Sequence, residues 1–260
     1  LTWPSPAHAI IGCGATPVLV DVDPEEWNAT AEAFAAARTD RTAAAVVIDQ
    51  LGNPARRGEI ERALEGLPIV EDAACALGSL FPDGPCGSLG RVSCLSFHPR
   101  KVVTTGEGGM CLTDDGDLAE ALRSLRNHGQ VAPGVFRQVS GNHRMTEMAG
   151  AVGVVQMGRL DEILDTRRAR AARYVQELEG LSAQRVPDGA QASYQTFGAL
   201  LPAGASAKDR DRFLRDLEAR GVHAGRLTYA LHRVTSVGQH ATVPDEGLPH
   251  SESIADRGFA

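Results

Sequence analysis

The chain has 260 residues, of which 43% are hydrophobic and 23% charged, so it is long enough for a buried core and has an ordinary globular composition. Its net charge of −7 provides no general positive field for nucleic acid or an anionic membrane, although a local basic pocket for a phosphorylated ligand is still allowed. No apolar stretch approaches the ~20 residues that span a bilayer, and five cysteines without a C-x-x-C pair argue against a zinc site or disulfide framework and for a reducing cytoplasm.

The first half of the chain alternates short apolar runs with helical patterns. Strands are predicted at 16–22, 43–49 and 68–72, and helices at 58–67 and directly after Thr30, a candidate N-cap. This alternation is typical of βαβ units, so we predict an α/β fold with a mostly parallel sheet flanked by helices. Ligands bind beyond the carboxyl ends of strands in such sheets, and Asp49 and Asp72 both fall at such ends.

The second half is predicted to lead into a smaller domain. Strands are predicted at 92–97, 109–113, 192–201 and 221–222, and helices at 117–126, 145–178 and 207–220. The stretch 145–178 forms one helix or two that meet near Gly158. We therefore predict a large domain over 1–160 and a small α+β domain over 161–260.

Both ends suggest a piece of a longer protein. The chain starts with Leu1 rather than Met, and no helix or tail that would close the second domain is predicted before Ala260. We therefore expect the large domain to lack its N-terminal part and the small domain its C-terminal part.

Lysine is scarce in this chain. Of the 26 basic residues only Lys101 and Lys208 are lysine. A lysine can lose its proton and form an imine, whereas arginine stays protonated, so Lys101 is a candidate for amine chemistry. For Lys208, which lies in a polar run, we expect an ordinary surface charge.

The most informative stretch is SFHPRKVVTTGEGGM, residues 96–110, in which a strand delivers a serine and, five residues later, Lys101. Pyridoxal phosphate (PLP) needs a primary amine, donors for its phosphate and a carboxylate at its pyridine nitrogen. Asp72 in EDAACALGS, residues 71–79, is a candidate carboxylate. On pattern alone, an acid at a strand end is common, and a Thr–Gly loop is more often a turn than a phosphate site.

These motifs, followed by LRNHG at 125–129 and GNHRMTEM at 141–148, resemble the DegT/DnrJ/StrS family of fold-type I aminotransferases. The resemblance runs in order through nearly the whole chain. It implies a PLP enzyme, a sugar aminotransferase of nucleotide-sugar, polysaccharide or antibiotic biosynthesis, that works as a homodimer with shared active sites.

The resemblance also implies roles for individual residues. Lys101 matches the lysine that binds the cofactor as a Schiff base and moves the proton, and Asp72 matches the partner of the pyridine nitrogen. Ser96 matches a hydroxyl that binds the cofactor phosphate. Asn142 matches the amide that reaches across the dimer interface to the neighbouring subunit's phosphate. Cys75 stands at a cofactor-ring position where many members have His or Gln, and the family's Ser-Gly-Thr phosphate loop lies before Leu1.

Other candidates have ordinary interpretations beside functional ones. The eight histidines lack metal-ligand spacing, and His232 is a candidate substrate contact or a surface histidine. The Gly12-x-Gly14 pair is expected to end a helix, and Glu107 is expected to fix its loop. The arginines at 167, 168, 170 and 173 are expected on a solvated helix face rather than at a diphosphate.

The sequence therefore predicts a cytoplasmic transaminase that moves an amino group from glutamate or glutamine to a keto-sugar, in particular a nucleotide-linked keto-deoxysugar. Lys101 argues against the family's dehydratases, in which histidine replaces the lysine. Two alternatives stay open: a ketocyclitol aminotransferase, and a non-catalytic or regulatory relative, or truncated gene product, on the same scaffold. No metal is expected.

Overall fold

The structure is a computed structural model that describes all residues from 1 to 260. The helices are α1 Ser5–Gly12, α2 Ala31–Ala37, α3 Arg57–Ala63, α4 Gly116–Arg126, α5 Glu147–Met157, α6 Leu160–Glu177, α7 Ala207–Ala219, α8 Thr235–Gly238 and α9 Pro249–Arg257. The strands are β1 Ala45–Ile48, β2 Ile69–Asp72, β3 Leu80–Phe81, β4 Gly84–Pro85, β5 Val92–Ser96, β6 Gly109–Leu112, β7 Gln130–Ala132, β8 Val135–Phe136, β9 Ser182–Ala183, β10 Ala199–Leu200 and β11 Gly258–Phe259. None of the helices is long and apolar enough to cross a membrane.

A four-stranded sheet in the order β1-β2-β5-β6 organises the first half of the chain. Strands β1, β2 and β5 are parallel, and β6 runs antiparallel to β5. The predicted α/β fold with a mostly parallel sheet is thereby confirmed. The main core forms where α3 packs on this sheet, and its buried members are Ala45, Val47, Ala55, Ile60, Leu64, Ile69 and Leu89. Since parallel strands end at the same edge, the sheet brings the residues after β1, β2 and β5 together.

A second sheet, β11-β10-β9, lies in the second half of the chain, where α9 contacts both α7 and β11. Its β10 strand is far shorter than the predicted 192–201 strand, and residues 221–222 form no strand. Residues 249–257, for which no helix is predicted, form α9, and β11 follows it directly; whether they close the small domain stays a prediction. The division into domains at residue 160 falls at the start of α6 and stays a prediction.

The predicted strand at 16–22 is wrong. This segment is extended, but it makes only isolated bridges, Val18 to Thr242 and Val22 to Ala29. Val18 is 50% exposed, and Pro17 has no N–H to donate to a ladder. The segment therefore has the composition of a strand but pairs with its neighbours only at single residues.

The predicted helix boundaries hold better. Thr30 caps α2 by accepting a hydrogen bond from Ala33 N at 3.2 Å, as its position predicts. The stretch 145–178 is two helices that meet at Gly158. Gly12 ends α1, and Gly14 then adopts φ +77, which is the helix-ending role expected of this pair.

Candidate active site

Three parallel strands deliver polar side chains to one edge of the main sheet. β2 ends at Asp72, β5 ends at Ser96, and Asp49 directly follows β1. After β2 the chain turns, with Ala74 N donating to Asp72 Oδ1 at 3.1 Å and Ala76 N donating to Ala73 O at 2.9 Å. Cys75 lies within this turn, between Ala74 and Ala76, and its side chain reaches the loop that follows β5.

That loop, which connects β5 to β6, is held by its own backbone. Phe97 N donates to Gly108 O at 2.9 Å and closes the loop. Inside it, Thr104 Oγ1 donates to Phe97 O at 3.0 Å and Lys101 N donates to His98 O at 2.9 Å. The lysine is half-buried at the inner side of this loop. The loop rich in Thr and Gly is thus a fixed support for one amine.

Lys101, Cys75 and Asp72 meet at this edge. Lys101 Nζ donates to Cys75 Sγ at 3.1 Å. Burial raises the pKa of the Asp72 carboxyl, and the Lys101 charge acts in the opposite direction. Burial also raises the pKa of the Cys75 thiol, again against the Lys101 charge. The site therefore places the Lys101 amine beside the Asp72 carboxyl and the Cys75 thiol, and its charge lowers the pKa of both groups.

Ser96 and Asn142 are placed differently from this trio. Ser96 ends β5, and its Oγ accepts from His98 N at 3.3 Å, so its own proton is left to donate. Asn142 is exposed, accepts from Arg144 N at 3.2 Å and bridges to Asn127. It makes no hydrogen bond with the other four predicted residues. Within one chain the structure gathers Lys101, Asp72 and Cys75, places Ser96 on the same sheet edge and leaves Asn142 apart.

Sequence reasoning missed the segment that supports the site from the second half of the chain. Ser193 Oγ donates to Cys75 O at 3.0 Å, and Gln195 Nε2 donates to Arg100 O at 2.8 Å. Gly52, with φ +91, lies where a Cβ atom would come within 2.8 Å of Cys75 O. Ser193 and Gln195 lie more than ninety residues away in sequence and belong to no motif, so no local signal identifies them.

Behind the site lies a group of buried acids. Asp49, Glu71 and Cys86 have ligand atoms within 4.8 Å of one another. Glu71 accepts from Gly87 N and Leu89 N, both at 2.8 Å, and from the Ser93 hydroxyl. Burial, and then the charge of Glu71, raise the pKa of Asp49 well above its usual value. Glu71 thus anchors a loop, whereas its neighbour Asp72 faces the site.

The remaining candidates have structural partners. His232 Nε2 lies 2.7 Å from Glu252 Oε1, which ties this histidine to α9. Glu107 is exposed; its backbone oxygen accepts from Thr105 Oγ1 at 2.9 Å, and its carboxylate lies 3.9 Å from His98 Nε2. Lys208 is exposed at the start of α7, as expected.

The expectation of a solvated arginine face is half wrong. Arg168 Nε donates to Ala192 O at 3.1 Å and its Nη2 donates to Gly78 O at 2.9 Å. Arg167 Nη1 donates to Tyr194 O and Gln195 O. These two arginines fasten α6 to the loops around the site, because planar guanidinium groups can satisfy two carbonyls at once. Arg170 and Arg173 are exposed, as expected.

The chain has clear relatives. The sequence model of the DegT/DnrJ/EryC1/StrS aminotransferase family matches residues 1–260. GDP-perosamine synthase of Caulobacter vibrioides is 34% identical over 251 residues, which cover 93% of this chain and 67% of that protein. The aminotransferase TlmJ from Streptoalloteichus hindustanus is 35% identical, with a TM-score of 0.87, over 97% of this chain and 69% of that one. DesI, solved in the presence of its TDP-sugar product, is 32% identical, with a TM-score of 0.88, over 99% of this chain and 67% of that one.

Proposed function

The chain belongs to the DegT/DnrJ/EryC1/StrS aminotransferase family, and we propose that it transfers an amino group from glutamate or glutamine to a nucleotide-linked keto-sugar in the cytoplasm. It is a PLP-dependent aminotransferase with the fold of sugar aminotransferases. The observation that supports the proposal most directly is the meeting of the Lys101 amine, the Asp72 carboxyl and Cys75 at the carboxyl ends of parallel strands.

The residues present fit the cofactor. Lys101 offers a primary amine on a loop fixed by backbone hydrogen bonds, and Asp72 offers a half-buried carboxyl next to that amine. Ser96 offers a hydroxyl whose proton is not used within the chain. An amine, an acid and a hydroxyl donor are the groups that PLP requires. We propose that Lys101 binds the cofactor covalently, Asp72 holds its ring nitrogen, Ser96 donates to its phosphate and Cys75 packs against its ring.

When bound, PLP supplies an electron sink for the bond electrons left at the donor's Cα. The protein's share is to place groups and move protons. The Lys101 amine, once released, would take the proton from the donor's Cα and deliver it to C4′ of the cofactor, because it is the one amine at this edge. Burial favours the neutral form of Asp72, and a cationic ring nitrogen beside it favours the carboxylate, so acid and ring stabilise each other's charge.

The substrate class is supported by the relatives. Two of them, the GDP-perosamine synthase and DesI with its TDP-sugar product, concern nucleotide-linked sugars. We propose a keto-sugar of this class as the amino acceptor, bound by the enzyme partly through its nucleotide. Because relatives of similar identity are associated with two different nucleotides, GDP- and TDP-linked keto-sugars are the two candidates.

We also propose that the active unit is a homodimer. Asn142 is exposed and apart from Lys101 in its own chain, so it is free to serve a neighbouring site. Helix α5, which begins five residues later, has no buried residue and exposes Met148 at 80%, Val154 at 76% and Val155 at 64%. An apolar helix face of this kind is typical of an interface between subunits. We propose that a second copy of the chain packs on α5 and that Asn142 then reaches the partner's site.

An absorption and turnover experiment tests the function. The chain is incubated with PLP, and the visible band of lysine-bound cofactor is expected to disappear on adding L-glutamate and to return with a TDP- or GDP-linked keto-sugar. Lys101→Ala should lack the band and all turnover, and Lys208→Ala should behave as wild type. A wild-type chain whose band L-glutamate and L-glutamine leave unchanged would contradict the proposal. A chain that responds to the donor but aminates a ketocyclitol instead would contradict only the substrate.

A further inference from the structure

Cys94 on β5 and Cys111 on β6 lie directly opposite each other in the antiparallel ladder. Phe97 N donates to Gly108 O at 2.9 Å in the same register, three positions further on, so the hydrogen bonds between the strands fall at every second pair counted back from 97 and 108. Because hydrogen-bonded and non-hydrogen-bonded pairs alternate, Cys94 and Cys111 occupy a non-hydrogen-bonded position. Side chains at such positions share one face, with Cα atoms about 4.5 Å apart. Disulfides require Cα atoms about 4.4–6.8 Å apart, and the ordinary spacing of a non-hydrogen-bonded pair falls at the short end of that range.

The two thiols have different environments. Cys111 is exposed and Cys94 is half-buried. A hydrogen bond from the Cys94 thiol lowers the pKa of Cys111 to about 6. The same hydrogen bond, and then burial, raise the pKa of Cys94. An accessible thiolate at neutral pH with a second thiol at its side is the arrangement of an attacking and a resolving cysteine.

We propose that Cys94 and Cys111 form a reversible modification site, at which a low-molecular-weight disulfide such as oxidised glutathione converts the two thiols into a cross-strand disulfide. The Cys111 thiolate attacks one sulfur of the small disulfide, whose S–S bond breaks and releases one thiolate. Cys94, after giving its proton to a base in solution, attacks Cys111 Sγ. The mixed disulfide breaks, and the second small thiolate leaves and takes up a proton. Two protein thiols are oxidised, and one small disulfide is reduced to two thiols.

The site adjoins the candidate active site without being part of it. Cys94 is the β5 partner of Asp72 on β2 and precedes Ser96 by two residues, on the same face of the strand. The disulfide would therefore fix the position of β5 relative to β6 next to Asp72 and Ser96. The proposal does not depend on the aminotransferase activity, and its test uses the protein without cofactor.

The test is peptide mapping of the folded chain after exposure to oxidised glutathione at neutral pH. The expected product is one linked peptide pair that contains Cys94 and Cys111 and is separated by dithiothreitol. With iodoacetamide instead, Cys111 should be alkylated roughly tenfold faster than exposed Cys13. A stable glutathione adduct on Cys111 beside a free Cys94, or a Cys111 no faster than Cys13, would overturn the proposal. Both measurements use the wild-type chain, so they do not rely on a variant that folds.

Matched variants separate the two roles. With oxidised glutathione, Cys94→Ser should trap one glutathione on Cys111. With iodoacetamide, Cys111 of this variant should still be alkylated fast, because a serine hydroxyl can donate a hydrogen bond to the thiolate. Cys94→Ala should also trap the adduct but lose most of the rate advantage. Cys111→Ser should leave Cys94 unmodified over the same time, and Cys13→Ser should form the disulfide as wild type does. A Cys94 that reacts equally fast in Cys111→Ser would contradict the assignment of Cys111 as the attacking thiol.

Discussion

The turn after β2, which carries Asp72 and Cys75, is positioned by contacts of single atoms. The Cys75 carbonyl accepts from Ser193 Oγ at 3.0 Å, and Ser193 is completely buried. Gly52 fills the remaining space, since its φ of +91 and its missing Cβ allow this close approach. The position of the Cys75 thiol, and with it the environment of the Lys101 amine, depends on a glycine more than twenty residues before it.

Gly52→Ala is expected to lose about 2–4 kcal/mol of unfolding free energy, from left-handed strain and from overpacking against Cys75 O and Ser193 Oγ. Urea unfolding measures the loss, and PLP affinity should fall with it. Gly116→Ala is the matched control, because nothing lies within 4 Å of its added Cβ in the first turn of α4. It should be neutral or stabilising by up to about 1 kcal/mol. Equal effects of the two substitutions would rule out this account of Gly52.

The buried acids predict a pH effect at a second residue. Burial and the charge of Glu71 raise the folded-state pKa of Asp49 well above its unfolded value. A raised pKa contributes stability that is complete below the unfolded value, near pH 4, and is lost as pH rises toward the folded one. Asp49 Oδ2 is buried without a hydrogen-bond partner. An amide there is neutral at every pH and can donate toward Glu71.

Asp49→Asn is therefore expected to be more stable than wild type at pH 8, by at least about 1 kcal/mol, with a smaller gain at pH 5. Urea unfolding at the two pH values measures this. Asp115→Asn is the control with the opposite sign, since the hydrogen bond from Arg91 lowers the pKa of the partly exposed Asp115. The Asp115 carboxylate contributes stability above its unfolded pKa, and this stability is lost as pH falls. Asp115→Asn should therefore lower the free energy of unfolding at pH 8 and leave it unchanged in acid. A gain for Asp49→Asn that does not grow with pH would contradict a protonated Asp49.

At the scale of elements, helices were predicted from sequence better than strands, for a physical reason. Capping and periodicity are local, so Thr30 and the break at Gly158 show in the sequence as well as in the structure. A strand also needs a neighbour, and residues 16–22 have strand composition but only isolated bridges. The strands that the sequence located correctly, β1, β2, β5 and β6, are those that form the main sheet. The Lys101 and Asp72 motifs depend on those same strands, which is why they could be found.

Helix α6 shows what local patterns cannot reveal. An arginine that faces solvent and one that binds buried carbonyls have the same sequence signature. Arg168 joins α6 to two loops through Ala192 O and Gly78 O, whereas Arg173 pairs with Glu177 at 2.8 Å on the surface. Only the three-dimensional path of the chain distinguishes the two residues.

Arg168→Lys is expected to cost about 1–3 kcal/mol, since one ammonium cannot satisfy both carbonyls with the geometry of the guanidinium. Arg173→Lys, at the exposed pair, should change the unfolding free energy by less than about 0.5 kcal/mol. Chemical denaturation of both variants checks the difference. If both cost the same, α6 is not fastened through Arg168.

At the scale of the whole molecule, the site is assembled from segments far apart in sequence. The 72–75 turn, the 96–108 loop and Ser193 meet within one chain. Asn142 does not join them, and the exposed apolar face of α5 lies just beyond it. If the site needs Asn142, a second chain has to supply it, and symmetry then gives two shared sites per dimer.

This sharing can be tested by mixing two inactive variants. Lys101→Ala lacks the amine in both of its sites, and Asn142→Ala is expected to lose most of its activity because both sites lack the amide. In a mixed dimer, one site combines Lys101 of one subunit with Asn142 of the other and is complete, while the other site lacks both. An equal mixture that exchanges subunits forms about half mixed dimers, so about a quarter of wild-type turnover should return. Lys101→Ala mixed with itself is the control, and Val155→Glu introduced into both variants should abolish the recovery by separating the subunits. If mass spectrometry shows that subunits exchange and activity still does not return, Asn142 serves its own chain or no site at all.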